Sequence, residues 1–171
     1  DAGTCDAVVS SVSITDERKQ NMDFSEPYFD AEQSVMVTKA NAEKYKTLAD
    51  LTGQEIGVQS GTTGEEYVNS HKPSGSTVKA LPGASDLFAA LQSGTIAAVV
   101  QDYPINAYRT TQDKNFVITE KIPTEEQYGM AVKKGNTETL DLLNKGLSTA
   151  KSDGTYDKLY EKYFGEKPPT S

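Results

Sequence analysis

Residues 93–104 read SGTIAAVVQDYP, and the construction of this stretch settles the fold class. "TIAAVV" (95–100) is an unbroken run of small and β-branched residues, the pattern of a strand covered on both faces. Pro104 stands where the first turn of a helix tolerates a missing N–H, so "DYPINAYRTTQ" (102–112) starts a helix directly after the strand. The sequence on either side keeps this alternation. "EIGVQ" (55–59) reads as a strand and "GTTGEEYVNSH" (61–71) opens a helix. "STVKAL" (76–81) is a strand, "GASDLFAALQSG" (83–94) a helix and "NFVIT" (115–119) a strand. Strands separated by short helices imply parallel pairing through right-handed crossovers, so about 38–126 forms an α/β unit.

Further out the pattern is less regular. "CDAVVSSVS" (5–13) has strand character, and Thr15 can cap a following helix whose first turn holds Asp16 and Glu17. Pro27 is expected to stop that helical region, "SVMVTK" (34–39) reads as a strand, and "TLADLTGQ" (47–54) as a helical turn ended by Gly53. Downstream, "EQYGMAVKK" (126–134) is a further strand, followed by two amphipathic helices split at Gly154. One comparison within the chain adds to this: "AGTCDAVV" (2–9) matches "SGTIAAVV" (93–100) at five of eight positions without gaps. The second copy follows a complete β-α-β-α run. If the copies are equivalent, the chain begins in the middle of its first lobe.

Composition narrows the function classes. The chain has 171 residues, enough for one ordinary domain or two small ones, with 36% hydrophobic and 25% charged residues. No apolar run approaches the ~20 residues of a membrane helix. Lys and Arg total 17 against 25 acidic residues, a formal charge of −8, with no basic cluster. Phosphate backbones are bound through clustered cations, so no nucleic acid is expected, and no anionic membrane surface. The single cysteine, Cys5, cannot form an internal disulfide or a CxxC metal or redox motif. It reads either as a small buried residue in a strand or as one half of a pair whose other half lies outside this chain. No signal peptide is visible, so a secreted origin requires its prior removal. The tail "GEKPPTS" (165–171) reads as a solvated end.

Candidate site residues follow from the repeat. Ligands of open α/β sheets sit beyond the carboxyl ends of the strands. There the first copy presents Ser10, Ser11 and Ser13, and the second presents Gln101 and Asp102. Two such lobes facing each other would set Ser11 and Ser13 opposite Asp102. "QSGTTGEE" (59–66) adds a glycine turn at a helix N-terminus, whose N–H groups favour an anion. Arg18 lies in the first turn of a short helix, where the macrodipole disfavours a cation. A bound carboxylate, which its planar fork matches, would account for the placement. The Thr62 and Thr63 N–H groups and hydroxyls suit the same carboxylate. Asp102, the Ser13 hydroxyl and a carbonyl near Ser11 suit an ammonium. Together these are the two charges of a free α-amino acid. Ordinary readings stay open for each element: Arg18 as a surface residue or a partner of Asp16 or Glu17, Asp102 as a helix N-cap, and "GTTGEE" as a common helix start.

At these residues the sequence resembles the amino-acid-binding members of the type II periplasmic solute-binding proteins, which feed ABC importers. The resemblance runs through "CDAVVSSVSITDERKQNMDFSEPYF", "TLADLTGQEIGVQSGTTGEEY", "AALQSGTIAAVVQDYP", "QYGMAVKKGN" and "SDGTYDKLYEKYFG". It implies a periplasmic-binding-protein-like II fold, with two α/β lobes joined by two hinge strands and the first lobe incomplete in this chain. The hinges fall at 33–37 and 127–132, lobe 2 at 38–126, and partial lobe 1 at 1–32 with 133–171. By resemblance Arg18 takes the ligand carboxylate with the N–H groups of Ser13 and Thr63. Asp102 takes the ammonium with the Ser13 hydroxyl and the Ser11 carbonyl. Ser10, Gln59 and Gln101 sit where relatives touch the ligand side chain, which leans towards a polar amino acid.

The implied partners are a free amino acid and an ABC transporter permease, with no cofactor. The implied location is periplasmic or extracellular, including anchoring as a lipoprotein in a full-length form. Relatives begin with two strand–helix units before the point where this chain starts. The "DAVVSSVS" strand would then have an open edge and exposed apolar faces, to be met by a separate N-terminal segment or by a second copy in a swapped dimer. Two other functions remain in view. One is the ligand-binding domain of a receptor or sensor. The other is an enzyme on the same fold, such as a cyclohexadienyl dehydratase-like protein or a lytic transglycosylase. Against the enzyme stand a single histidine, His71, in a polar loop, no Ser/His/Asp order and no metal cluster. Glu65 and Glu66 read as helix-surface acids rather than a catalytic pair.

Overall fold

The computed structural model describes residues 5–164 and 167–168. The chain divides into two compact units, Asp1–Ala31 with Glu125–Ser171, and Glu32–Thr124.

The 32–124 unit is a sheet covered on both faces. Its strands are β3 (Phe29–Thr38, which enters the unit), β4 (Glu55–Gln59), β5 (Thr77–Leu81) and β6 (Ala98–Asp102), together with the start of β7 (Phe116–Lys133). They are ordered β3-β6-β4-β5, with β4 parallel to β5 and β6, and β3 antiparallel to β6. The Lys39 N–H donates to the Asn115 carbonyl, tying the end of β3 to the start of β7. Period-two alternation sorts the buried residues into two clusters. Val35, Val37, Ile56, Val58, Ala98 and Val100 pack with Leu51 and Val68. Met36 and Val99 pack with Leu87, Leu91, Ile96 and Phe116. The helices are α2 (Thr63–His71), α3 (Ala84–Gln92) and α4 (Tyr103–Gln112), with single 3₁₀ turns at Lys39–Asn41 and Leu48–Leu51.

In the other unit, β1 (Ala7–Ser13) and β2 (Met22–Phe24) both pair antiparallel with the end of β7. Helices α1 (Asp16–Lys19), α5 (Thr137–Ser152) and α6 (Thr155–Phe164) complete it. Phe29 stacks on Tyr160 and on Tyr128, and Phe164 closes against Phe29 and Tyr160. No residue of α5 or α6 is fully buried, and Val8 and Val9 of β1 are 43% and 59% exposed. Strand β1 begins at Ala7 and β6 at Ala98, positions that the proposed repeat aligns. Residues 2–4 of that repeat lie outside the described residues, as does most of the 165–171 tail.

Several expectations need correction. Cys5 is exposed and precedes β1, so it is not a buried strand residue. The helix after Thr15 ends at Lys19, well before Pro27, because residues 22–24 are taken up as β2 against β7. Strand β6 starts at Ala98 rather than Thr95. The N–H groups of Thr95 and Ile96 fold back onto the Ala90 carbonyl to close α3 around Gly94, whose φ is +76°. "NFVIT" and "EQYGMAVKK" form one extended strand, β7, with Glu125 at a φ of 52° within it.

Candidate functional site

In the unit containing β1, the sequence-predicted residues cluster on a bulge. The β1–β7 register slips between Val8 and Val12, leaving Ser10 and Ser11 exposed and outside the regular ladder. Ser11 takes a positive φ of 51°, and its N–H donates to the Tyr28 hydroxyl at 3.2 Å. Burial raises the Tyr28 pKa, so this hydroxyl stays protonated. Ser13 is 3% exposed. Its hydroxyl donates to the Glu126 carboxylate, which directs the proton to Glu126 and leaves oxygen lone pairs as acceptors.

The Arg18 puzzle has a structural answer. Helix α1 is a single turn, capped by the Thr15 hydroxyl, which accepts the Arg18 N–H at 3.2 Å. Arg18 therefore lies as near the C-terminal carbonyls as the N-terminus, and the macrodipole objection loses its force. The guanidinium donates to the Ser13 carbonyl at 2.9 Å, so Arg18 and Ser13 are held together. Of the two acids of that turn, Asp16 takes Lys19, at 3.5 Å.

In the 32–124 unit the second group assembles where β3, β6 and α2 meet. Asp102 ends β6 and occupies the N-cap position of α4, yet its side chain makes no capping bond. Oδ1 accepts instead from Gln33 Nε2 at 2.6 Å, and the same amide reaches Thr63 Oγ1 at 3.4 Å. The plain N-cap reading of Asp102 thus describes its place but not its chemistry. Gly64 allows this approach, since a Cβ there would lie 2.9 Å from Gln33 Oε1 and 3.3 Å from the Val100 carbonyl.

Three features of this group bear on the predicted contacts. The Thr62 hydroxyl donates to the Gln59 carbonyl at 2.7 Å and accepts the Glu65 N–H at 3.3 Å as the N-cap of α2. With its one proton already committed, it has none to give a ligand carboxylate. The glycine turn is also partly served from within, because the Gly61 N–H donates to the Glu65 carboxylate at 2.7 Å. Gln101 is 4% exposed and points to the face of β6 opposite Asp102. Its amide donates to Asn106 Oδ1 at 2.8 Å, Asn106 donates to Ser34 Oγ at 2.9 Å, and Ser34 donates to the Gln101 carbonyl at 3.0 Å. The Gln101 side chain thus belongs to a closed buried hydrogen-bond network. Gln59 is partly exposed at the end of β4, its amide donating to the Pro82 carbonyl at 3.3 Å.

Sequence reasoning missed Gln33, Glu126 and Tyr28, since each acts on a residue remote in the chain. Among the described residues no group of three or more His, Cys, Asp or Glu side chains is placed to hold a metal ion. No helix among the described residues is long and apolar enough to cross a membrane.

The sequence profile of the bacterial extracellular solute-binding proteins, family 3, matches residues 1–166. An ABC transporter glutamine-binding protein of Bacillus subtilis (strain 168) is 36% identical, over 97% of this chain and 60% of its own length. The ABC transporter arginine-binding protein 1 of Escherichia coli (strain K12) is 36% identical, over 93% of this chain and 66% of its own length. Among solved structures, an ancestral arginine-binding protein bound to glutamine superposes with a TM-score of 0.85 at 42% identity, covering 96% of this chain and 73% of that one. The chain thus spans about 60–66% of the length of these two curated relatives.

Proposed function

We propose, because this chain belongs to the bacterial extracellular solute-binding proteins, family 3, that it captures a free polar L-amino acid for an ABC importer. Arg18 takes the ligand carboxylate, with the N–H groups of Ser13 and Thr63. Asp102 takes the ammonium, with the Ser13 hydroxyl and the Ser11 carbonyl. The observation that carries this reading is the state of Asp102: it occupies a helix-capping position but makes no capping bond, and a neutral amide orients it. An amide orients the carboxylate without adding a positive charge of its own. The Ser13 hydroxyl supports it, being set by Glu126 as an acceptor. The relatives' names, glutamine- and arginine-binding proteins of ABC transporters, agree with a ligand of this class. The site of action is outside the cytoplasmic membrane, where a permease receives the amino acid. The exposed Val8 and Val9 of β1 suit cover by a further strand, from a separate N-terminal segment or from a second copy.

Titration of this chain with L-arginine and L-glutamine, followed by amide chemical shifts that register millimolar as well as micromolar binding, tests the reading. Arg18→Ala and Asp102→Asn should each weaken binding by about tenfold or more, the scale of a lost charge-assisted hydrogen bond. Failure to bind either amino acid, or unchanged affinity in Arg18→Ala, refutes it.

A further inference from the structure

We infer that Gln33 is a positioning residue for ligand recognition, acting through Asp102; this rests on the reading of Asp102 as a ligand contact. The β3–β6 register makes Gln33 the direct partner of Asp102, so backbone pairing itself delivers the side chain to the carboxylate. Gln33 is 1% exposed. Its Nε2 lies 2.6 Å from Asp102 Oδ1 and 3.4 Å from Thr63 Oγ1, so one amide group links the end of β6 to the first residue of α2. Any side chain at position 64 would collide with the same amide, its Cβ 2.9 Å from Oε1, so glycine there leaves the amide its room.

The chemistry of the residue matters as much as its place. A lysine or arginine opposite Asp102 would neutralise the carboxylate and compete with a ligand ammonium. An apolar residue would remove the 2.6 Å hydrogen bond to Asp102 Oδ1. A glutamine holds that oxygen while adding no positive charge of its own, which suits a carboxylate that is to meet an ammonium.

The test separates this role from a merely structural one by using a ligand that lacks the ammonium. L-arginine and δ-guanidinovalerate, the same molecule without its α-amino group, are titrated into the parent chain, Gln33→Met and Asp102→Asn, with circular dichroism confirming the fold. Gln33→Met should lose affinity for L-arginine on the order of tenfold and keep its affinity for δ-guanidinovalerate. The double variant should bind L-arginine no worse than Asp102→Asn alone, since Gln33 acts through that carboxylate. Gln33→Asn, which keeps the amide but shortens its reach, serves if Gln33→Met does not fold, with the same loss of selectivity expected. Equal weakening of both ligands, or undiminished L-arginine binding, overturns this inference alone. Absence of L-arginine binding by the parent chain overturns the proposed function, and this inference with it.

Discussion

Replacing Gly64 with alanine should destabilise the 32–124 unit, whereas the same replacement at Gly146 should stabilise the other unit. Both glycines are helical, in α2 and α5, and neither has a positive φ, so the backbone accepts alanine at either place. At Gly146 no atom lies within 4 Å of the new methyl, leaving only the helix-propensity gain of about 0.5–1 kcal/mol. At Gly64 the methyl would lie 2.9 Å from Gln33 Oε1, 3.3 Å from the Val100 carbonyl and 3.4 Å from the Gln101 Cα. The last two belong to the backbone of β6, and Gln33 is held by Asp102 and Thr63. None of the three neighbours yields cheaply. Overpacking of this kind costs about 1–3 kcal/mol, which exceeds the propensity gain and leaves a net loss of about 1–2 kcal/mol. For a unit of this size that lowers Tm by roughly 5–15 °C, while Gly146→Ala raises its own unit's transition by a few degrees. Calorimetry on the two variants reads both signs, and L-arginine titration of Gly64→Ala should show weakened binding as α2 is pushed off Gln33. A Tm for Gly64→Ala at or above the parent's would refute the packing argument.

Other outcomes follow from the same structure. Asn106→Ala strips the buried Gln101 amide of its acceptor and leaves a cavity at a fully buried position. Urea denaturation should show a loss of about 2–4 kcal/mol, and a change under about 0.5 kcal/mol would deny the network its role. Burial, helped by the charges of Tyr160, Asp30, Asp157 and Tyr28, raises the Tyr156 hydroxyl to about 12. The phenolate absorbance missing from Tyr156→Phe should therefore appear near pH 12, and folding stability should fall as pH rises from the ordinary 10 towards 12. A step at the ordinary value would contradict the burial. The Lys134 ammonium and the Gly135 N–H hold the Asp23 carboxyl below its usual 3.8. Its contribution is present above that pH and lost as pH falls through the depressed value, so Asp23→Asn should flatten the acid limb of the stability profile. Identical acid limbs in parent and variant would count against the pairing.

The α/β alternation was legible because strands covered on both faces carry apolar centres, as Ile56 and Val58 of β4 and Ala98, Val99 and Val100 of β6 do. Turn glycines gave the punctuation, since Gly53, Gly94 and Gly154 all take positive φ. Arg18 and Asp102 were legible as candidates because a fixed cation and a carboxylate after a buried strand have few inexpensive explanations. Two candidates meet partners that spacing along the chain does not reveal. Gln101 in an apolar strand signals ligand contact or a buried network equally well, and only the arrival of Asn106 and Ser34 decides between them. Thr62 has the residue type of a ligand contact, but its proton is spent on the carbonyl three residues earlier.

What the sequence by itself determined is therefore the periodic part of this protein: which segments are buried, where the chain turns and which charged types stand at strand ends. Only the tertiary structure decided which partners those polar groups meet. Gln33 meets Asp102 across 69 positions and Ser13 meets Glu126 across 113. Hydrogen bonds depend on atoms coming within about 3 Å, a proximity set by strand register and helix packing rather than by spacing along the chain.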